Sequence, residues 1–163
     1  MANRYWLFKS DPETFGWDDL ARAPKQTTRW DGIRNYQARN SLRDDVRLGD
    51  GVLFHHSQSD PPAIVGIAAV SRAGYPDETQ FESRSPHFDS KAQRDAPRWF
   101  AVDIRLERGF PKPVPLTLLR ATPGLDAMVL LQKGSRLSVQ PVSAAEWKIV
   151  VRLAGIGSKK TRE

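Results

Sequence analysis

The sequence predicts a mixed α+β domain, with about six strands and two or three helices at the ends, compatible with a curled sheet or small barrel. Three observations predict it. Residues 98–107 alternate, with Phe100, Val102, Ile104 and Leu106 on one face and Trp99, Ala101, Asp103, Arg105 and Glu107 on the other, which is strand periodicity. Residues 63–70 (AIVGIAAV) are an unbroken run of small apolar side chains, as in a strand buried on both faces. Near the C-terminus, Ser143-Ala144-Ala145-Glu146 forms a capping box ahead of Trp147, Val150, Val151 and Ala154 at helical spacing.

In chain order, Arg4 to Phe8 is an aromatic-rich strand that ends in the turn signal Lys9-Ser10-Asp11-Pro12. Lys9 and Ser10 thus fall at a strand end, where binding groups are common, although Ser and Asp before Pro also serve as plain turn formers. Trp17 to Ala23 has room for two helical turns before Pro24. A helix is expected from about Ile33 or Arg34 to Asp44, with Arg39 and Arg43 on one face. Val52 to Ser57 follows the Gly49-Asp50-Gly51 turn as a strand, and alternation sends His55 and His56 to opposite faces, so they cannot chelate one metal. Residues 74–97 are a long polar stretch whose Tyr75, Phe81 and Phe88 argue for docking against the body. Trp99 stands on the polar side of its strand and either lines a pocket or covers the sheet under a loop. Pro111, Pro113 and Pro115 bracket an edge-like connection, Leu116 to Ala121 reads as a short helix, and Ala127 to Leu131 and Arg136 to Val142 read as strands. Gly155 fits a helix stop. The domain is expected over residues 1–155, with a flexible basic tail at 156–163.

The chain is organised around Gln26 to Asn40 (QTTRWDGIRNYQARN). Trp30 and Tyr36 are flat groups that stack on a base, Asn35 and Asn40 carry amides that reach base edges, and Arg29, Arg34 and Arg39 suit phosphates. The same aromatics in a loop and helix start also suit packing inward. Arg43 extends the basic face.

With 163 residues the chain fits one domain, and a formal net charge of +6, from 25 Lys and Arg against 19 Asp and Glu, favours a polyanionic partner. The absence of cysteine excludes thiolate nucleophiles and Cys-based zinc sites and leaves the redox compartment open. His55, His56 and His87 fit no metal-binding pattern, so neither metal nor cofactor is expected. No run approaches the ~20 apolar residues of a membrane span, and the N-terminus has no apolar signal core, so a soluble, intracellular and cytoplasmic protein is expected.

Several long motifs, YWLFKSDP, QTTRWDGIRNYQARN, VLFHHS, AGYPDETQF, PRWFAVD and RLSVQPVSAAEW, occur in order from Tyr5 to Leu153. Together they resemble the EVE domain family. The resemblance implies a PUA-like fold, a curled barrel-like sheet flanked by helices, shared with the YTH domain that reads methylated adenine in RNA. It also implies a pocket for a flipped or unpaired modified base, with modified cytosine in DNA the leading candidate. By matching motif, Lys9 and Ser10 would contact the base edge or a nearby phosphate, Trp30 would form one wall, and Asn35 and Tyr36 would lie at the rim. His56 and Ser57 match the family's Tyr-His-Ser element, with His55 where the family often has Tyr. Asp11 stands where many members have Glu. Trp99 matches a second cage wall of the YTH domain more loosely, and Tyr75 is a further wall candidate.

A non-enzymatic reader of a modified base is therefore the expected function. The alternatives are an RNA-binding PUA-like module and an enzyme acting on a nucleobase through Ser10 or His56, although no nucleophile elbow, P-loop or zinc deaminase motif is present.

Overall fold

The structure, a computed structural model, describes residues 4–133 and 136–156. Its strands are β1 (Tyr5–Ser10), β2 (Thr27–Trp30), β3 (Gly51–His56), β4 (Ala63–Pro76), β5 (Phe100–Pro115) and β6 (Val139–Val142). The α-helices are α1 (Trp17–Arg22), α2 (Tyr36–Asn40), α3 (Leu116–Arg120) and α4 (Ala144–Leu153). The strands form one sheet in the order β2-β5-β4-β3-β1-β6, in which only β1 and β3 run parallel. This is the α+β curled sheet that the sequence predicts.

The aromatic contacts measure the curl. Trp30 sits on the edge strand β2, three strands from β3 and four from β1. At about 4.8 Å per strand a flat sheet would put ~14 and ~19 Å between them. Instead, the Trp30 ring centroid lies 5.6 Å from that of Phe54 and 5.3 Å from that of Phe8. The edge has folded over onto the middle. Register shifts along the β4–β5 pair, between Ile64 and Gly66 and again between Val70 and Tyr75, mark where the ladder bends. The concave face buries Trp6, Phe8, Trp30, Val52, Phe54 and Ile104, closed by Leu20 of α1 and by Ala38 and Leu42. The convex face buries Leu7, Leu53, Ile64 and Val114 against Leu119 of α3 and Val150 and Val151 of α4.

Several elements depart from expectation. Thr27–Trp30 is a strand, β2, inside a stretch read as loop and helix start. α2 begins at Tyr36, because Asn35 is its N-cap, and it ends in a π-turn over Ser41–Asp45. The expected strand at Ala127–Leu131 is a 3₁₀ turn over Val129–Leu131, because Leu125, Met128 and Leu130 are buried against the helices and not paired in the sheet. The strand expected from Arg136 is limited to Val139–Val142. The prolines at 111, 113 and 115 do not form a connection. β5 runs through them because β2 pairs only with Val102 to Arg105, so one edge of β5 needs no further strand donors. β4 likewise runs on to Pro76.

The C-terminal helix follows its sequence signals. Ser143 Oγ accepts the Glu146 N–H, Glu146 accepts the Ser143 N–H, and Gly155 stops the helix at φ +90°. Beyond Ile156 the expected basic tail lies outside the described residues. Among the described residues no helix is long and apolar enough to cross a membrane.

Candidate functional site

β1 and β3 run side by side and end together, with Ser10 opposite His56. On β1, Trp6, Phe8 and Ser10 alternate onto the concave face, and on β3, Val52, Phe54 and His56 do the same. The strand ends, at the mouth of the curl, therefore carry a rim of Ser10, His56 and Ser57 above Phe8, Phe54 and Trp30, which are buried in the core. The Ser57 N–H donates to the Ser10 carbonyl at 2.9 Å, which ties the two strand ends. Ser10 Oγ donates to the Phe15 carbonyl at 2.5 Å and holds the following loop. Beside His56 lies a cavity of about 340 Å³ walled by Ala63, Val65, Pro113 and Pro115.

His56 is fixed by a residue that the sequence did not mark for the site. The Trp17 backbone N–H donates to His56 Nε2 at 3.0 Å, so Nε2 is the acceptor and Nδ1 carries the proton. Burial lowers the His56 pKa, while Asp18 pulls the other way, and the ring is neutral at pH 7. Among the described residues Nδ1–H has no partner, which leaves it as a donor at the mouth. The Trp17 indole meets Phe54 edge-on at 5.3 Å and lies against Gly66, where a Cβ would fall 2.4 Å from the ring. Gly66 inside an apolar strand was the available signal, because an interior strand glycine marks a close approach.

The long segment after β4 is docked, as its aromatics predicted, and Arg34 docks it. The Arg34 guanidinium makes five hydrogen bonds, to the carbonyls of Ile33 and His87 (twice), to Asp77 and to Thr79. Asp77 is fully buried. Burial opposes its charge, but bonds from Thr79, the Gly32 N–H and Arg34 hold its pKa below the usual carboxylate range. Gly32, at φ +76°, lies directly beneath the His87 ring, where a Cβ would be 2.7 Å from Nε2.

Trp99 covers the sheet under this segment. It is buried, its Nε1–H donates to Asp89 at 2.7 Å, and Tyr36 stacks on it at 4.8 Å. Tyr36 is half exposed, with the Arg39 guanidinium 4.9 Å from its ring centre.

The structure thus brings Ser10, Trp30, His56 and Ser57 to the mouth and sets Asn35, Tyr36, Trp99 and Arg39 in a second cluster. It separates others. Lys9 alternates to the convex face, in register with His55, and burial lowers its pKa. Tyr75 also lies on the convex face, its hydroxyl bonded to Asp103 and the Arg72 guanidinium 3.8 Å over its ring, with its pKa raised by burial and by Asp103. Arg29 pairs with Asp31, Arg43 with Asp44, and Arg39 donates to the Arg98 carbonyl. The expected basic stripe is therefore largely neutralised within the fold. Trp30, expected as an open wall, is only 7% exposed and belongs to the core. Asn35 uses its Oδ1 to cap α2 at 3.0 Å, which leaves its amide N–H₂ at the surface. Among the described residues no group of three or more His, Asp or Glu side chains could hold a metal.

The arrangement has solved counterparts. A structure from Pseudomonas putida is 45% identical with a TM-score of 0.87, covering 92% of this chain and 99% of that one. Human thymocyte nuclear protein 1, solved in complex with DNA containing 5-methylcytosine, is 40% identical with a TM-score of 0.88, covering 95% of this chain and 99% of that one. In sequence, that human protein is 41% identical over 91% of this chain and 73% of its own length. The curled sheet is thus the PUA-like fold that the motifs imply. The EVE domain model matches residues 4–153, from the first strand through the last helix, and the chain belongs to the EVE domain family.

Proposed function

We propose that the chain binds DNA carrying a modified cytosine and reads that base without changing it. The observation that carries this is the mouth, where a neutral His56 with its Nδ1–H free stands beside Ser10 and Ser57 above buried aromatics. Cytosine presents ring-nitrogen and carbonyl acceptors to such a donor. The relative solved with 5-methylcytosine DNA names the modification to test first.

Tyr36 on Trp99, with Asn35 beside it, would offer a second stacking surface for a neighbouring base. Lys9 and Tyr75, on the convex face, do not share the mouth. Base stacking contributes about 1 to 3 kcal/mol. One methyl adds only about 0.8 kcal/mol, which is about fourfold in affinity. A larger preference needs a penalty against the unmodified base, such as a polar group left unpaired.

The reading is non-enzymatic for a geometric reason. His56 Nε2 is already an acceptor for the Trp17 N–H, and the Ser10 hydroxyl is already given to Phe15, so the two do not form a nucleophile and base pair.

The test is a titration with matched DNA and RNA strands carrying cytosine, 5-methylcytosine or 5-hydroxymethylcytosine. Preferential binding of a modified strand, weakened at least tenfold in His56→Ala with an unchanged melting temperature, is expected. Equal binding to every strand, or release of free base on incubation, would exclude the reading.

A further inference from the structure

A second concavity lies on the convex face at the opposite end of the strands, and its floor is a single rung of the sheet. Tyr5, Gly51, Ala69 and Arg105 are successive cross-strand partners on β1, β3, β4 and β5. At about 4.8 Å per strand the rung spans ~14 Å. Its two middle positions carry only a hydrogen and a methyl group. The Trp147 ring takes the space over Gly51, where a Cβ would fall 2.7 Å from it, so the hollow lies over Ala69, between an aromatic end and a cationic end. Trp147, from α4, stacks on Tyr5 at 4.4 Å and 25° to form the aromatic end. The groove encloses about 900 Å³.

Its polar groups are uncommitted. Arg105, Arg108 and Lys148 line the groove, and among the described residues none of their side chains has a hydrogen bond or ion pair. Glu107 is the only carboxylate among the described lining residues, which together carry a surplus of two positive charges. Arg29, Arg34, Arg39 and Arg43, by contrast, all have partners within the fold. Leu48 stands at the lip, 66% exposed, a large apolar side chain presented to solvent.

We propose that this groove docks an acidic peptide segment of a partner protein, with an apolar or aromatic side chain held against Leu48, Tyr5 and Trp147 and carboxylates against Arg105, Arg108 and Lys148. The position of the groove favours a protein over a nucleic-acid strand. Tyr5 and Ser10 are at opposite ends of β1, ~17 Å apart at 3.3 Å per residue, and on opposite faces of the sheet. A molecule engaged at the mouth leaves the groove facing away. Charge complementarity steers such a partner, and the apolar anchor supplies the affinity.

The groove is tested independently of the mouth. A displayed library of random 12-residue peptides is selected against the protein, and enriched peptides are synthesised and titrated. The expected result is a peptide set with Asp or Glu around one Leu, Phe or Trp, whose affinity falls at least tenfold in the double variant Arg105→Glu, Arg108→Glu and in Ala69→Arg, which fills the floor. Peptide binding should be unchanged in His56→Ala, and 5-methylcytosine DNA binding should be unchanged in the double variant. No enriched set, or a set indifferent to both groove variants, overturns the proposal. So does loss of DNA binding in the folded double variant, which would make the groove part of the nucleic-acid surface. Failure of wild-type protein to distinguish methylated DNA would count against the mouth alone.

Discussion

At the scale of single residues, the two adjacent histidines carry different physics. His55 is 2% exposed and neither ring nitrogen has a hydrogen-bond partner, so burial, with Lys9 and His56 adding repulsion, lowers its pKa to about 4. The unfolded chain takes up a proton near pH 6.5, and the folded chain does so only near pH 4. Stability is therefore full above about pH 6.5 and falls as the pH drops toward 4, by at most about 1.4 kcal/mol per unit and roughly 3 kcal/mol in total. Urea unfolding at pH 7, 5.5 and 4.5 measures this. His55→Tyr, which does not titrate in that range, should flatten the slope, and an equally steep fall in that variant would move the effect elsewhere. Trp30 illustrates a different point. Its ring is enclosed by Phe8 and Phe54, so Trp30→Ala should cost about 3 to 5 kcal/mol in urea unfolding. Loss of ligand in that variant would report on the core as much as on recognition, and for that reason the partly exposed His56 is the better probe of the mouth.

At the scale of elements, the segment from Asp77 to Asp89 is held by Gln80, which bonds the Arg98 and Trp99 backbone, by Trp99, which donates to Asp89, and by Arg34. Arg34→Ala removes five hydrogen bonds and leaves Asp77 buried without its cation. A loss of about 3 to 5 kcal/mol is expected from such an uncompensated charge. Hydrogen exchange should show lost protection across residues 77–89 and retained protection in β3 and β4; uniform change across the sheet would show that Arg34 supports the whole fold. α1 depends in a similar way on two glycines. A Cβ at position 66 would strike the Trp17 ring, and Gly109 also lies against it. Gly66→Ala should therefore displace α1 and break the Trp17 N–H bond to His56. The expected readouts are a lower melting temperature and a His56 pKa that rises toward its ordinary value by NMR titration; an unchanged pKa would mean that α1 does not set the tautomer.

At the scale of the whole molecule, the net charge of +6 does not by itself supply free phosphate-binding groups. Arg29, Arg34, Arg39 and Arg43 all have internal partners, so few of them are available to phosphates without breaking a bond. Each phosphate neutralised contributes about −0.9 to the slope of log affinity against log salt on duplex DNA, or about −0.7 on a single strand. A slope shallower than about −3.6 on duplex, the value for four phosphates, is expected between 50 and 200 mM salt. A steeper one would show that these arginines exchange their partners for the backbone.

Much of this was legible in the sequence. Local signals determined the α+β class, the alternating faces of β3 and the first half of β5, the capped C-terminal helix, and the opposed directions of His55 and His56. Such features rest on neighbours within a few residues, where periodicity and capping chemistry decide. The curl, the separation of Lys9 and Tyr75 from the mouth, the capture of Arg34 by Asp77 and the seating of Trp17 on Gly66 were decided only in three dimensions. Each depends on residues far apart in the chain, such as Arg34 and Asp77 or Trp17 and Gly66. No local pattern states which arginine finds a buried carboxylate, or which face of a strand becomes concave, because burial and pairing are properties of the closed sheet and not of any one strand.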